Sequence, residues 1–223
     1  MTKRNRKSTT TAGGRLSGGF VPPTGGLRII GGQFRGRRLN YSGDLRTRPM
    51  KDRLREAIFN LIGPSIKGKH AIDLFAGTGA LALESLSRGA DKAMLIEQHH
   101  PTANIIRQNA AMLGVEKLTE IVPGNVFIWW YRLKTRADTT SQDRPAVFTD
   151  VPWAVFCSPP YDFYVERTDE MLELIAGLVE AAPAESVFTV EADARFDFQL
   201  LPDPQAWNIR PYSPAVVGIY RKA

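Results

Sequence analysis

Hydrophobic positions recur along the chain at two periods, and the changes between them mark the elements. Leu27-Arg28-Ile29-Ile30 reads as a short strand, Gly31-Gly32 as a turn, and Gln33 to Leu39 as a returning strand. From Pro49 to Ile62 the spacing becomes helical. Leu54, Ala57, Ile58, Leu61 and Ile62 share one face, Lys51 and Arg55 another, and Gly63-Pro64 ends the helix. Short apolar runs then alternate with helical stretches. Strands are expected at Ala71–Phe75, Lys92–Glu97, Glu120–Val122, Ala154–Cys157, Val187–Glu191 and Val216–Tyr220. Helices are expected at Gly79–Arg88, Pro101–Leu113 and Asp169–Ala181, the last burying Leu172, Ile175, Leu178 and Val179. Strand-helix alternation of this kind predicts an α/β fold with a doubly wound, mostly parallel sheet. Residues 134–150 are polar and read as a long exposed loop.

Composition narrows the class. The 223 residues suit one domain with a small appendage, and 43% hydrophobic with 23% charged residues is globular rather than disordered. A single cysteine, Cys157, excludes an internal disulfide and a cysteine-cluster zinc site. At the end of an apolar strand it reads as a packed thiol rather than a nucleophile. His70, His99 and His100 lack metal-ligand spacing, so no metal is expected. Trp129, Trp130 and Tyr131 read as cover for a core edge.

Charge divides the chain unevenly. Residues 1–55 hold fourteen Lys or Arg against Asp44 and Asp52, while residues 56–223 hold fifteen basic and twenty-one acidic residues. A basic arm on a mildly acidic body points to a polyanion partner. Three parts are therefore expected: a disordered basic tail over 1–26, a hairpin and helix over 27–62, and a main domain over 63–223. The tail has neither the apolar run of a secretory signal nor the amphipathic period of a transit peptide, and no run is long enough for a membrane span. The expected setting is cytoplasmic, as a monomer.

The candidate chemistry lies in two turns. Asp73-Leu74-Phe75-Ala76-Gly77-Thr78-Gly79-Ala80 links the first strong strand to a helix, and Glu97 ends the next strand twenty residues after Gly77. Gly77 and Gly79 permit close backbone approach to a ligand, and Glu97 is placed to accept from a ribose diol. Asp73 would repel a pyrophosphate but suits an ammonium group. S-adenosylmethionine, with its ammonium, sulfonium and ribose diol, thus fits better than a nicotinamide dinucleotide. The second turn, Ser158-Pro159-Pro160-Tyr161, follows a buried strand and should face the same crevice. Two prolines remove N–H donors and leave carbonyl acceptors beside an aromatic ring, which suits a nucleobase amine.

Together, Asp-x-Phe-x-Gly-x-Gly and Ser-Pro-Pro-Tyr resemble the class I S-adenosylmethionine-dependent amino-methyltransferases. Arg28-Ile29-Ile30-Gly31-Gly32, Arg35-Gly36-Arg37-Arg38-Leu39, Arg48-Pro49, Asp52-Arg53-Leu54-Arg55-Glu56 and Glu84-Ser85-Leu86-Ser87-Arg88-Gly89-Ala90 narrow the resemblance. They are similar to the bacterial family that methylates N2 of one guanine in 16S ribosomal RNA. The resemblance covers about residues 27–191. It implies a seven-stranded Rossmann-like methyltransferase sheet with a small amino-terminal hairpin and helix. It implies that Asp73, Phe75, Ala76, Gly77, Thr78, Gly79, Ala80, Glu97, Asn125 and Val126 bind S-adenosylmethionine, and that Ser158, Pro159, Pro160 and Tyr161 hold the guanine. It implies that Arg28, Arg35, Arg37, Arg38, Arg48, Lys51, Arg53 and Arg55 grip 16S rRNA, free or in a small-subunit assembly intermediate. Two departures stand out: Ser158 occupies the place usually held by Asp, and the tail at Tyr212-Ser213-Pro214-Ala215 lacks the usual glycine-threonine pair. The competing readings are an adenine-N6 or protein-glutamine methyltransferase, and an RNA-binding relative without catalysis.

Overall fold

The computed structural model describes residues 26–41, 43, 49–137 and 150–223. Residues 1–25 of the tail expected over 1–26, residues 138–149 of the loop expected over 134–150, and the expected phosphate contact by Arg48 lie outside the described residues.

The first described helix is α1 (Asp52–Ile62). Alternation then proceeds through β1 (His70–Asp73), α2 (Ala80–Ser87), β2 (Lys92–Glu97), α3 (His100–Leu113), β3 (Thr119–Pro123), α4 (Val126–Ala137) and β4 (Trp153–Cys157). The chain continues with α5 (Phe163–Glu166), α6 (Thr168–Ala181), β5 (Val187–Asp193), β6 (Asn208–Tyr212) and β7 (Ala215–Arg221). The seven strands form one sheet in the order β3-β2-β1-β4-β5-β7-β6. β1 to β5 pair in parallel, and β7 runs antiparallel to both β5 and β6.

Strand residues alternate strictly between two cores, as the two-residue period requires. Ala71, Leu95, Ala154, Phe156 and Val187 face the side covered by α1, α2 and α3. Ile72, Leu74, Met94, Ile96, Val155, Cys157 and Val190 face the side covered by α4 and α6. Burial on both faces explains why the central strands read as continuous apolar runs.

Four expectations are corrected. α6 buries Met171, Leu174, Ile175 and Leu178, so its stripe is turned one position from the expected one and leaves Leu172 and Val179 at the margin. The run that begins at Val126 is a helix: Val126, Trp130 and Leu133, at intervals of four and three, are its buried positions, and it continues through 134–137 into the expected loop. β6 was not expected, because Pro211 and a mostly exposed pattern hide an edge strand. The second strand of the hairpin is reduced to one bridge, Arg28 to Arg38, after a turn through 33–36.

The hairpin is irregular because its backbone bonds to α2 and α3. Glu84, fully buried in α2, accepts from Ile30 N and Gly31 N, both at 2.7 Å. Ser87 Oγ donates to Gly31 O and accepts from Phe34 N, while Ser87 O accepts from Gln33 N. Gly32 lies at φ +74°, and a Cβ there would sit 1.8 Å from Ser87 O, so only glycine permits this approach. Asn109 of α3 closes the segment, accepting from Asn40 N and donating to Asn40 O.

Arg55 belongs to the same joint and not to the surface. It is fully buried, on a stripe with Ile58, Phe59 and Ile62. Its guanidinium donates to Asp52 and to the Arg28 carbonyl, and stands 3.9 Å from Glu84. Burial lowers its pKa, and Asp52 and Glu84 oppose that shift. A fully buried guanidinium with these partners cannot grip RNA phosphates, so the expected RNA contact by Arg55 is withdrawn.

Candidate active site

The carboxyl ends of β1, β2, β4 and β5 open into one pocket of about 1230 Å³. Open α/β sheets bind ligands at this edge. The glycine loop, Glu97, Asn125 and Val126 line it, as do Ser158, Pro159, Pro160 and Tyr161. Lys51 and Arg53 also border it.

Asp73 ends β1 beneath the loop and is 1% exposed. Neither carboxylate oxygen meets a partner with full hydrogen-bond geometry, and the amides of Ala82 and Phe75 only partly favour its charge. Burial first, and the Glu97 charge to a lesser degree, push its pKa up to about 7. A buried carboxylate that is only partly compensated and lines a pocket suits a cationic ligand group. The loop above it turns sharply. Gly79 caps α2 at φ +76°, and a Cβ there would come within 3.1 Å of Ile106 and Leu95.

Glu97, at the end of β2, is positioned by the loop itself. One oxygen accepts from Gly77 N at 2.8 Å and the other from His99 N at 2.7 Å. Each carboxylate oxygen has a second lone pair, so Glu97 retains capacity for ribose hydroxyls. Asn125 serves α4 as well as the pocket: its Oδ1 accepts from Phe127 N at 2.9 Å, leaving its amide N–H groups as the donors it can offer a ligand. These residues fit the ammonium and ribose of S-adenosylmethionine.

The Ser-Pro-Pro-Tyr turn leaves β4, the direct neighbour of β1, and lines the same pocket. Tyr161 is fixed by its phenol, which donates to Glu191 of β5 at 2.6 Å. Ser158 Oγ is buried and has no hydrogen-bond partner of full geometry. Arg195 bridges Asp162, just past the turn, to Asp193 at 2.9 and 2.8 Å and so ties the turn to β5.

The sequence reading did not single out Glu191, Phe127 or Phe163. Phe127 and Phe163 form an edge-and-tilt cluster with Phe75, centroids 5.9–6.3 Å apart, and line the pocket. The Arg167 guanidinium lies 3.9 Å from the Phe127 centroid. Tyr161 and Phe163, two residues apart, carried the only local hint of this wall. Cys157 is a packed thiol, as expected, with burial pushing its pKa up to about 12. Among the described residues there is no acidic or histidine cluster able to hold a metal. Also among them, no helix is long and apolar enough to cross a membrane.

The expected cationic grip is divided. Arg28, Arg35, Arg37, Arg38, Lys51 and Arg53 are exposed. Arg28 pairs with Asp52 at 3.1 Å, and Arg37 donates to Met112 O at 2.7 Å.

Rossmann-like methyltransferases are the class to which this sheet, with its reversed β7 and its crevice at the parallel strand ends, conforms. Within it, the chain belongs to the family described as conserved hypothetical protein 95, whose model matches residues 27–209. The chain is 46% identical over 90 residues to "Ribosomal RNA small subunit methyltransferase D" of Escherichia coli K12, covering 40% of this chain and 46% of that protein. It is 39% identical over 89 residues to the protein of the same name from Haemophilus influenzae, covering 40% and 46%. The matched stretch thus spans about half the length of these curated relatives. The solved structure named "Putative methyltransferase yhhF from Escherichia coli" superposes with a TM-score of 0.67 at 27% identity, covering 88% of this chain and 97% of that one.

Proposed function

We propose that this protein transfers a methyl group from S-adenosylmethionine to the exocyclic N2 of a guanine in 16S rRNA, acting as a monomer in the cytoplasm. A small-subunit assembly intermediate or the free rRNA is the substrate. The observation that carries the proposal is the meeting, in one pocket, of a buried and only partly compensated carboxylate at Asp73 with an acceptor-rich turn at Ser158–Tyr161. The names of the curated relatives support RNA as the methyl acceptor.

Bound S-adenosylmethionine supplies an activated methyl group on a sulfonium, so no metal or covalent intermediate is required. The chain's task is orientation. Asp73 holds the ammonium, Glu97 the ribose hydroxyls, and Asn125 with Val126 the adenine side. The Pro159 carbonyl and Ser158 Oγ accept from the guanine amine, which turns its lone pair toward the methyl. A guanine must leave its stack to enter, and the fixed Tyr161 ring replaces a lost stacking partner.

Labelled S-adenosylmethionine with unmodified small-subunit particles, followed by nucleoside mass spectrometry, tests this directly. N2-methylguanosine is expected. N6-methyladenosine, or no methylated nucleoside despite measured cofactor binding, would refute the guanine assignment.

Lys51 and Arg53, exposed at the pocket border, are assigned to RNA phosphates together with Arg35 and Arg38. In a Lys51→Ala, Arg53→Ala double variant, RNA affinity falls for every sequence tested. The slope of log affinity against log salt becomes shallower by about 0.7–0.9 per lost contact. An unchanged slope in a filter-binding salt series would remove these residues from the interface.

A further inference from the structure

Ser158 brings a neutral hydroxyl to the pocket, and a buried carboxylate stands on the neighbouring strand. β4 and β5 pair in parallel with Cys157 opposite Val190, so the next step along each strand brings Ser158 and Glu191 together. Glu191 is 8% exposed, lines the same pocket and accepts from the Tyr161 phenol at 2.6 Å. Ser158 Oγ is buried, without a partner of full hydrogen-bond geometry, but near enough to Glu191 to favour its charged form. A hydroxyl held between a substrate amine and a buried carboxylate can accept from one and donate to the other at once.

We propose that Ser158 and Glu191 form a two-step proton relay, in which Ser158 touches the target amine and Glu191 positions Ser158 and receives the proton. The relay rests on the amine-methylation reading above. As the N2 lone pair forms its bond to the methyl carbon, the carbon–sulfur bond breaks, its electron pair stays on sulfur, and positive charge passes to N2. One N2 proton moves to Ser158 Oγ while the Ser158 hydroxyl proton moves to Glu191. Neutral methylguanine, the neutral thioether and a protonated Glu191 remain, and solvent later takes the proton.

Burial raises the Glu191 pKa, opposed by Tyr161 and Ser158, which brings a carboxylate closer to the range useful for accepting a proton. The other titratable groups that feel its charge are Cys157 of β4 and Tyr164 of α5, both buried and with pKa values raised by burial. β7 places Val217 opposite Glu191.

Two measurements test the relay. Carboxyl-carbon NMR of the ligand-free protein, labelled at glutamate, follows Glu191 titration without substrate. Ser158→Ala removes a group that favours the charged form, so the Glu191 midpoint moves to higher pH; an unmoved midpoint overturns the relay. Single-turnover methyl transfer is the second. Glu191→Gln lowers the rate by about 100-fold, within the range of acid–base catalysis, with S-adenosylmethionine affinity unchanged. With S-adenosylmethionine saturating at every pH, so that Asp73 ionisation does not enter, the wild-type rate falls as pH drops through the Glu191 pKa, and Glu191→Gln loses that limb. Adding Ser158→Asp to Glu191→Gln restores most of the rate by placing a carboxylate at the turn. Equal rates for Glu191→Gln and wild type overturn the relay and leave amine methylation standing. No transfer by wild type overturns both. Where thermal melting shows that Glu191→Gln does not fold, Ser158→Ala carries the kinetic comparison, with a loss of about tenfold or more expected and an unchanged rate overturning the relay.

Discussion

Replacing Asp73 with Asn is expected to weaken S-adenosylmethionine binding by about 100-fold, while making the ligand-free protein more stable above neutral pH. The two effects share one cause. Burial holds the Asp73 carboxyl at a pKa of about 7, against an ordinary value of 3.8. Between those values the folded state keeps a proton that the unfolded chain has released. Stability tied to that proton is full below about pH 4 and is lost as pH rises through about 7. Asn never ionises, so the variant escapes the loss. Its ligand-free melting temperature at pH 8 should exceed that of wild type by about 5 °C or more, and the difference should vanish near pH 4. A bound ammonium reverses the preference, because it rewards the ionised carboxylate. Removing a charge-assisted contact of this kind costs about 1.5–3 kcal/mol, which is the basis of the expected loss in affinity. In wild type, affinity should rise between about pH 5.5 and 7.5 as Asp73 ionises, with proton release on binding below neutrality. Calorimetry in buffers of different ionisation enthalpy measures both. Binding that is independent of pH over that range would show that Asp73 does not carry the ammonium, and a variant that melts with wild type at pH 8 would show that burial does not hold its carboxyl near 7.

Glu84→Ala is expected to destabilise the protein by about 3–5 kcal/mol and to release residues 27–41 from the body. The carboxylate is fully buried and serves Ile30 N, Gly31 N and Arg88, with Arg55 at 3.9 Å. Truncation strands two backbone donors and leaves a buried guanidinium with Asp52 as its remaining acid. Breaking a buried pair from one side has that order of cost, whereas replacing both partners by apolar groups can be nearly neutral. The double change Glu84→Gln, Arg55→Met should therefore retain more stability than Glu84→Gln alone. Urea unfolding gives the energies, and limited proteolysis shows whether cleavage appears first within 27–41. If Glu84→Ala unfolds at the wild-type urea midpoint, this joint does not hold the amino-terminal segment.

The parts of the site that were legible in the sequence are those built from consecutive residues. Asp73 with the glycine loop, Glu97 at a strand end and the Ser-Pro-Pro-Tyr turn each follow an apolar run, and strand ends in an α/β sheet converge on one edge. Glu191 was not legible. It closes the expected strand Val187–Glu191 much as Glu97 closes its own, but no glycine loop or proline turn follows it to mark a site, and only the register of β4 against β5 brings it to Ser158. Arg55 was misread because residue type and spacing disagreed. Arginine suggests surface, but positions 55, 58, 59 and 62 form one stripe, and the stripe won once Asp52 and Glu84 were at hand. In α4, a run of β-branched and aromatic residues masked a helical period. β6 lies at a sheet edge with an interrupting Pro211, and only Ile209 and Tyr212 pack on the cores, so its side chains carry little pattern.

α2 begins at Ala80, directly after Gly79 of the loop over Asp73, and its second half carries Glu84 and Ser87, which hold Ile30, Gly31 and Phe34. It is eight residues long, all buried, which is a rod of about 12 Å at 1.5 Å per residue. The helix is therefore a ruler between the loop over Asp73 and the amino-terminal arm proposed to meet RNA. Its length is fixed in phase as well as in distance. One residue more or fewer would swing Glu84 and Ser87 by about 100° around the axis and point them away from the backbone they serve. A change of length in this interval would thus disturb both of its ends at once.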